Sequence, residues 1–340
     1  MNKILLHIMV CASVLLAGCT KSGHLSSEDV PAITFDMSMD QTKALISSDN
    51  LNTTGSRIVV YDVHTSDIGL DQYLNAQYIE YRDGQWRFTK SSGGDVIQIP
   101  WTKKGTHDFL AYNVQDASAN KSLPVEVLYN TNYSTAKQQS LRVPKDGEWT
   151  LNLNNQFDFV YGSANRNVET DGYSALPVRF KHMFAAVAVE VRNASTRNLK
   201  LSSLSFGNLK DKGYAEVNYG GDVIYHLSAS QASDLFAALS NEVTVSVGGS
   251  TTLYAGTGQA FLIWPHSAAD LANASITVSY KLDGDGNTTT KTINLTENYT
   301  VKTWLAGNKY KYLIAVTDDY ISLDVMRVVE WINDDVILEE

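Results

Sequence analysis

Cysteine is almost missing from this chain: its 340 residues include two, Cys11 and Cys19. Both lie close to the start. Removal of a leader ending at residue 18 therefore leaves no pair for a disulfide, no cysteine metal site and no thiol nucleophile within a folded domain. Positive charge is scarce as well. Lys and Arg total 27 against 37 Asp and Glu, a formal net charge of −10. That balance argues against a nucleic-acid surface and against a polybasic membrane patch. Six prolines and 22 glycines are too few for a collagenous or Pro/Gly-rich disordered chain. Long apolar runs are missing too: the stretch Ile4–Leu16 is about 13 residues, short of the ~18–20 that span a bilayer.

What is present starts with an address. Lys3 precedes the apolar run, which ends in Leu16-Ala17-Gly18-Cys19. A charged start, a short apolar run and a small-small-Cys ending resemble the lipobox of bacterial lipoproteins, in which the leader (1–18) is cut before the cysteine and its thiol carries a diacylglycerol. Cys19 is then the lipidation residue, and acyl chains anchor the protein at ~0.8 kcal/mol per buried methylene. Residues 19–31 are small and polar and form a flexible tether.

The remainder has a period of two. Ile33-Thr34-Phe35-Asp36-Met37-Ser38-Met39 alternates strictly, as a half-buried strand does. A polar stretch follows, and strand character resumes at Arg57–Val63. Asp83-Gly84 and Asp146-Gly147 sit between alternating segments and predict two hairpins, and Asp283–Asn287 predicts a third between Ile276–Leu282 and Thr290–Leu295. The best helical window is Ser228–Leu239, with Ser228 or Ser230 as N-cap and Leu235, Phe236 and Leu239 on one face. Short strands at roughly ten-residue spacing indicate an all-β chain of β-sandwiches. At this length two are expected, an N-terminal sandwich over 32–176 and a C-terminal one over 177–340, with at most one or two short helices.

Catalytic and metal motifs are not in evidence. Counted from Asp283, a calcium loop needs Gly at position six and Glu at twelve, where this chain has Thr288 and Asn294. His64, His107, His182, His226 and His266 show no zinc-ligand spacing, and His182 reads as structural. There is no Gly-x-Ser-x-Gly elbow and no His-Glu-x-x-His. The expectation is a non-enzyme that needs no cofactor. Trp86, Trp101, Trp149, Trp264, Trp304 and Trp331 fit either a sugar-binding face or core packing, and packing is the better match.

Several stretches in order carry a family resemblance: the lipobox, Ile33-Thr34-Phe35 followed by Thr42-Lys43-Ala44, Ile99-Pro100-Trp101, His107-Asp108-Phe109-Leu110-Ala111-Tyr112, Asp158–Gly162, Val178–Met183, Trp304–Tyr310 and Val328-Val329-Glu330-Trp331. Together the chain resembles a fimbrillin, of the type V pilin family of bacterial surface lipoproteins. The resemblance implies two tandem transthyretin-like β-sandwich domains with Greek-key-type strands. It also implies export as an outer-membrane lipoprotein, a proteolytic cut after a basic residue, and loss of the first strand, here with Ile33, Phe35, Met37 and Met39 as its apolar face. The cut maps to Lys43-Ala44, with Arg57 as the nearest arginine. A neighbouring subunit's donor strand then fills the groove, in a head-to-tail polymer of pilin subunits on the cell surface. Ile321, Leu323 and Val325, continued by Val329 and Trp331, are the donor candidates; the alternative for that segment is an ordinary intramolecular edge strand. The alternative for the whole chain is a non-polymerising surface lipoprotein, a fimbrial anchor, tip adhesin or glycan-binding module facing host or bacterial surface ligands.

Overall fold

A computed structural model describes residues 30–39, 51–66, 69–130, 139–228, 235–253, 260–295 and 303–329. Cys19, most of the tether, Lys43, Ala44 and Trp331 lie outside the described residues. The fold is all-β, as the alternation predicts, with two one-turn helices, α1 (Val168–Asp171) and α2 (Ala268–Leu271), among the described residues.

The first sheet contains β1 (Phe35–Met39), β2 (Arg57–Ser66), β3 (Gly69–Arg82), β4 (Gln85–Thr89), β5 (Thr106–Asp116), β6 (Lys121–Ser122), β10 (Val160–Asn167) and β11 (Leu176–His182). Its order is β1-β11-β10-β5-β2-β3-β4, with β6 on β5. Both faces are apolar. On β2, Ile58 and Val60 join Ile79, Phe88, Phe109, Val178 and Phe180 in a smaller core, while Val59, Tyr61 and Val63 face a larger one. Period-two alternation sends successive side chains to opposite faces, and here both faces are covered. The sheet curls around the smaller core, so that its end strands β1 and β4 meet: the Phe35 and Phe88 rings lie 5.3 Å apart, edge to face.

A second sheet runs β15-β14-β8-β7, from Val223–Ser228, Lys212–Asn218, Ser140–Val143 and Leu128–Asn130, with β9 (Trp149–Thr150) also on β14. A third runs β16-β13-β19-β20, from Leu235–Val245, Leu199–Gly207, Ser275–Leu282 and Thr289–Asn294. The fourth runs β17-β12-β21-β22, from Ser250–Leu253, Ala185–Asn193, Lys309–Val316 and Ile321–Val329, with β18 (Phe261–Ile263) on β12. The larger core draws Leu141, Val143 and Phe159 together with Val187, Leu201, Phe206, Trp264 and Trp304. Position 177, where the two sandwiches are expected to divide, lies in β11, which is paired along the first sheet with β1 and β10.

Two of the three hairpins form as expected. Asp83 and Gly84 both have positive φ, 51° and 77°, the backbone of a type I′ turn, and β3 pairs with β4 across them. β19 and β20 pair across the Asp283 turn. The Asp146-Gly147 turn is a correction. β8 and β9 do not pair with each other; both lie antiparallel to β14, β8 along Ala215–Asn218 and β9 along Lys212–Gly213. Pro144 has no N–H with which to continue a ladder, and the loop is tied instead by the Arg142 guanidinium, which donates to the carbonyls of Pro144, Lys145 and Gly147 at 3.0, 2.5 and 2.9 Å. The helical window is a second correction. Leu235–Val245 is strand β16, paired antiparallel with β13 from Phe206↔Leu235 to Leu199↔Val245. Cross-strand pairing against a buried strand outweighs a weak helical period.

Candidate functional site

The first strand is seated by main chain on one side and by side chains below. β1 runs parallel to β11, with register Phe35↔Leu176 through Met39↔Phe180. Ile33, Met37 and Met39 are 4, 3 and 6% exposed, within the smaller core, and Phe35 sets its ring against Phe88 and Phe109. Thr34 and Asp36 are exposed. β1 stands at the end of the sheet, with a laddered partner on one side only.

Ahead of β1 the chain is held by a second segment. The N–H of Ile33 donates to Ile99 O at 2.8 Å and that of Trp101 to Pro31 O at 3.0 Å. Ala32 and Pro100 form an antiparallel bridge, and Ile97 N–H reaches Phe88 O on β4 at 2.9 Å. Residues 97–104 are thus a strap from β4 across the start of the first strand to β5. Ile97-Gln98-Ile99-Pro100-Trp101 reads as a strand in the sequence, but the structure forms only the isolated Ala32↔Pro100 bridge there: Pro100 has no N–H to extend a ladder, and the partner lies 66 or more positions away in sequence. The open end of the seam between β1 and β4 is a cleft of about 370 Å³ lined by Asp36, Asn52, Tyr81, Gln85 and Trp86 among others.

Arg57, the nearest arginine to the first strand, lies in β2, paired with both β3 and β5. Its guanidinium meets Glu80 at 3.1 Å and Gln115 at 2.7 Å. The peptide bond after it is a rung of the middle of a sheet, closed to a protease that needs extended, unpaired chain.

The C-terminal donor candidates belong to β22. That strand pairs antiparallel with β21, from Val316↔Ile321 to Lys309↔Val329, with an irregularity between Leu313 and Ile314. Leu323 is 9% exposed and Ile321 packs against the larger core. Val325 pairs with Leu313 and Val329 with Lys309, and β22 is the edge of its sheet.

The tryptophans among the described residues are packing residues. Trp101, Trp264 and Trp304 are at most 2% exposed, Trp86 is 8% exposed, and Trp149 sits edge to face on Phe184 and Trp264. The histidines among the described residues are partners of carboxylates or carbonyls. His182 lies 3.0 Å from Asp158, both buried. His266 accepts from Lys210 N–H at Nε2 (3.0 Å) and donates from Nδ1 to Trp264 O (2.6 Å), and burial holds its imidazole below the ordinary histidine range, with the Trp264 hydrogen bond opposing. His64 and His107 stand side by side, with ring centroids 4.8 Å apart. His107 Nδ1 is 2.6 Å from the fully buried carboxylate of Asp62, which burial pushes above the usual carboxylate range despite the His107 hydrogen bond. Among the described residues no three His, Cys, Asp or Glu side chains converge as metal ligands.

A family described as fimbrillin-like matches residues 42–331 of this chain. No curated protein matches it. Among solved structures, a Bacteroides ovatus protein assigned to cell adhesion is 15% identical, aligned over 90% of this chain and 99% of its own, with a TM-score of 0.50. A Bacteroides uniformis protein with the same assignment is 14% identical over 88% of this chain and 98% of its own, with a TM-score of 0.47. The fimbrial anchor protein Mfa2 of Porphyromonas gingivalis is 14% identical over 88% and 97%, with a TM-score of 0.33.

Proposed function

This chain belongs to the fimbrillin-like family, and from that premise we propose that it is a non-enzymatic structural subunit of a cell-surface fimbria, exported as an outer-membrane lipoprotein. The leader is 1–18, the lipid sits on Cys19, and residues 19–31 tether the first sheet to the membrane before processing. A cut after Lys43 separates β1 from the rest of the chain, and a strand of a neighbouring subunit takes its place.

The observation that carries this reading is the seat of β1. It is a terminal strand of its sheet, ladder-bonded on one side, yet it buries Met37 and Met39 in a core, together with Ile33 just ahead of it. Fully burying three such side chains stabilises by roughly 5–9 kcal/mol, an upper figure. A sheet that loses this strand exposes an apolar groove and the open edge of β11, which is the template for strand addition. Because the donor is heterologous, the contacts repeat head to tail in an open filament. β22 is the candidate donor, at the edge of its sheet; donation requires it to leave β21. The pairing of Arg57 on both sides favours Lys43 as the cut.

The test is the N-terminus of the protein recovered from the cell surface, by intact mass and peptide mapping. A start at Ala44 in detergent-resistant, high-mass ladders is the expected result. A start at lipidated Cys19 with monomer alone overturns the polymerising role.

A further inference from the structure

His64 on β2 and His107 on β5 are cross-strand neighbours in the first sheet, 5 and 0% exposed. Each ring has one nitrogen on a carboxylate and the other on a carbonyl of the strap. His64 Nδ1 lies 2.8 Å from Asp71 Oδ1 and its Nε2 meets Lys104 O. His107 Nδ1 lies 2.6 Å from Asp62 Oδ2 and its Nε2 is 3.2 Å from Lys103 O. A carbonyl only accepts, so both Nε2 atoms donate to the strap. Other contacts converge on the same few residues. Lys103 Nζ pairs with Asp71, Tyr73 donates its hydroxyl to Pro100 O, and Thr102 donates to that hydroxyl at 2.8 Å. The Trp101 ring stacks edge-on against His107, 5.2 Å between centroids. At the strap's end Gly105 has a φ of +106°, and a Cβ there would lie 2.5 Å from Thr65 O. The strap in turn holds Pro31–Ile33 through the two main-chain bonds at Ile33 and Trp101.

We propose that His64 and His107, acting through residues 99–104, form a clasp that holds the start of the first strand against the sheet. The hydrogen bonds of both histidines go to carboxylates and to the strap, not to β1. Each fixes a carbonyl of the strap, and the strap pairs with the three residues that lead into β1. The rest of β1 is held by β11 and by its own buried side chains. Breaking the clasp therefore frees residues 31–33 first and lowers the barrier to losing the strand as a whole, so the histidines are positioning residues for retention of β1. This rests on the seating of β1, whatever the chain does after processing.

Hydrogen exchange on the full chain tests it, read by peptides for the wild type and for His64→Gln, His107→Gln and Gly105→Ala. The expected result is exchange at least tenfold faster in residues 31–39 and 99–104, with 185–193 and 199–207 at wild-type rates. Faster exchange in 99–104 with 31–39 unchanged overturns the clasp, and so does equal acceleration throughout the chain, which assigns the histidines to global stability. Wild-type protein in low denaturant gives an independent check should a variant fail to fold. The amides of Ile33 and Trp101 should open in one shared step below the global transition, and separate steps overturn the proposal. A chain that never polymerises leaves these outcomes unaffected.

Discussion

Met37→Ala isolates the contribution of the first strand to the fold. Met37 is 3% exposed, in the smaller core beside Met39 and Ile33, and its neighbour Asp36 points outward. Truncating a buried Met to Ala costs about 2–5 kcal/mol, part transfer and part residual cavity. β1 is laddered on one side only, so the core edge relaxes around the gap, and a loss of about 2–3 kcal/mol is expected, from the lower half of that range. The same loss multiplies the population of chains with β1 undocked by about 30- to 140-fold, at tenfold per 1.4 kcal/mol. Urea denaturation of the full chain, followed by tryptophan fluorescence, reads the change as a shift in midpoint at constant slope. Asp36→Ala on the same strand is the control and should stay within about 0.5 kcal/mol of wild type. A Met37→Ala cost below about 0.5 kcal/mol, or an Asp36→Ala cost equal to it, would refute the alternation on which the seat of β1 is argued.

Gln156→Leu should destabilise the chain by about 2–4 kcal/mol in the same assay, since the Gln156 amide donates to Leu262 O at 2.6 Å and accepts from Leu262 N–H at 3.0 Å, and its loss strands two buried backbone groups. His266 predicts an acid-sensitive fold. Its folded-state pKa lies below that of the unfolded chain, so the unfolded state binds the extra proton, and stability is full above about pH 6.5 and falls as the pH drops below it. The difference in unfolding free energy between wild type and His266→Gln should shrink from pH 7.5 to pH 5, and a constant difference across that window would exclude the effect.

The element types were largely legible. Strict alternation from Ile33 to Met39 became a half-buried strand, and Asp83-Gly84 became a type I′ turn because only a short polar residue and glycine tolerate two successive positive φ angles. Local signals failed where partners were distant. Asp146-Gly147 has the composition of a hairpin turn, yet the strands flanking it found β14 instead of each other. The helical period over Leu235–Leu239 gave way to β13, whose Leu204 and Phe206 are fully buried. His64 and His107 carried no recognisable spacing, since they meet through the β2–β5 register and act on a strap 35 to 40 positions after the first of them.

The sequence by itself determined what depends on neighbours along the chain: the all-β class, the apolar face of the first strand and two of the three turns. The tertiary structure decided which strands lie side by side. It put β1 parallel to β11, about 140 residues further on (Asp36↔Pro177), set the strap across its start, and left β22 on the edge of its own sheet. The physical reason is that period two dictates which face a residue takes, while the choice of partner rests on a core assembled from segments far apart in sequence, and no local pattern encodes that choice.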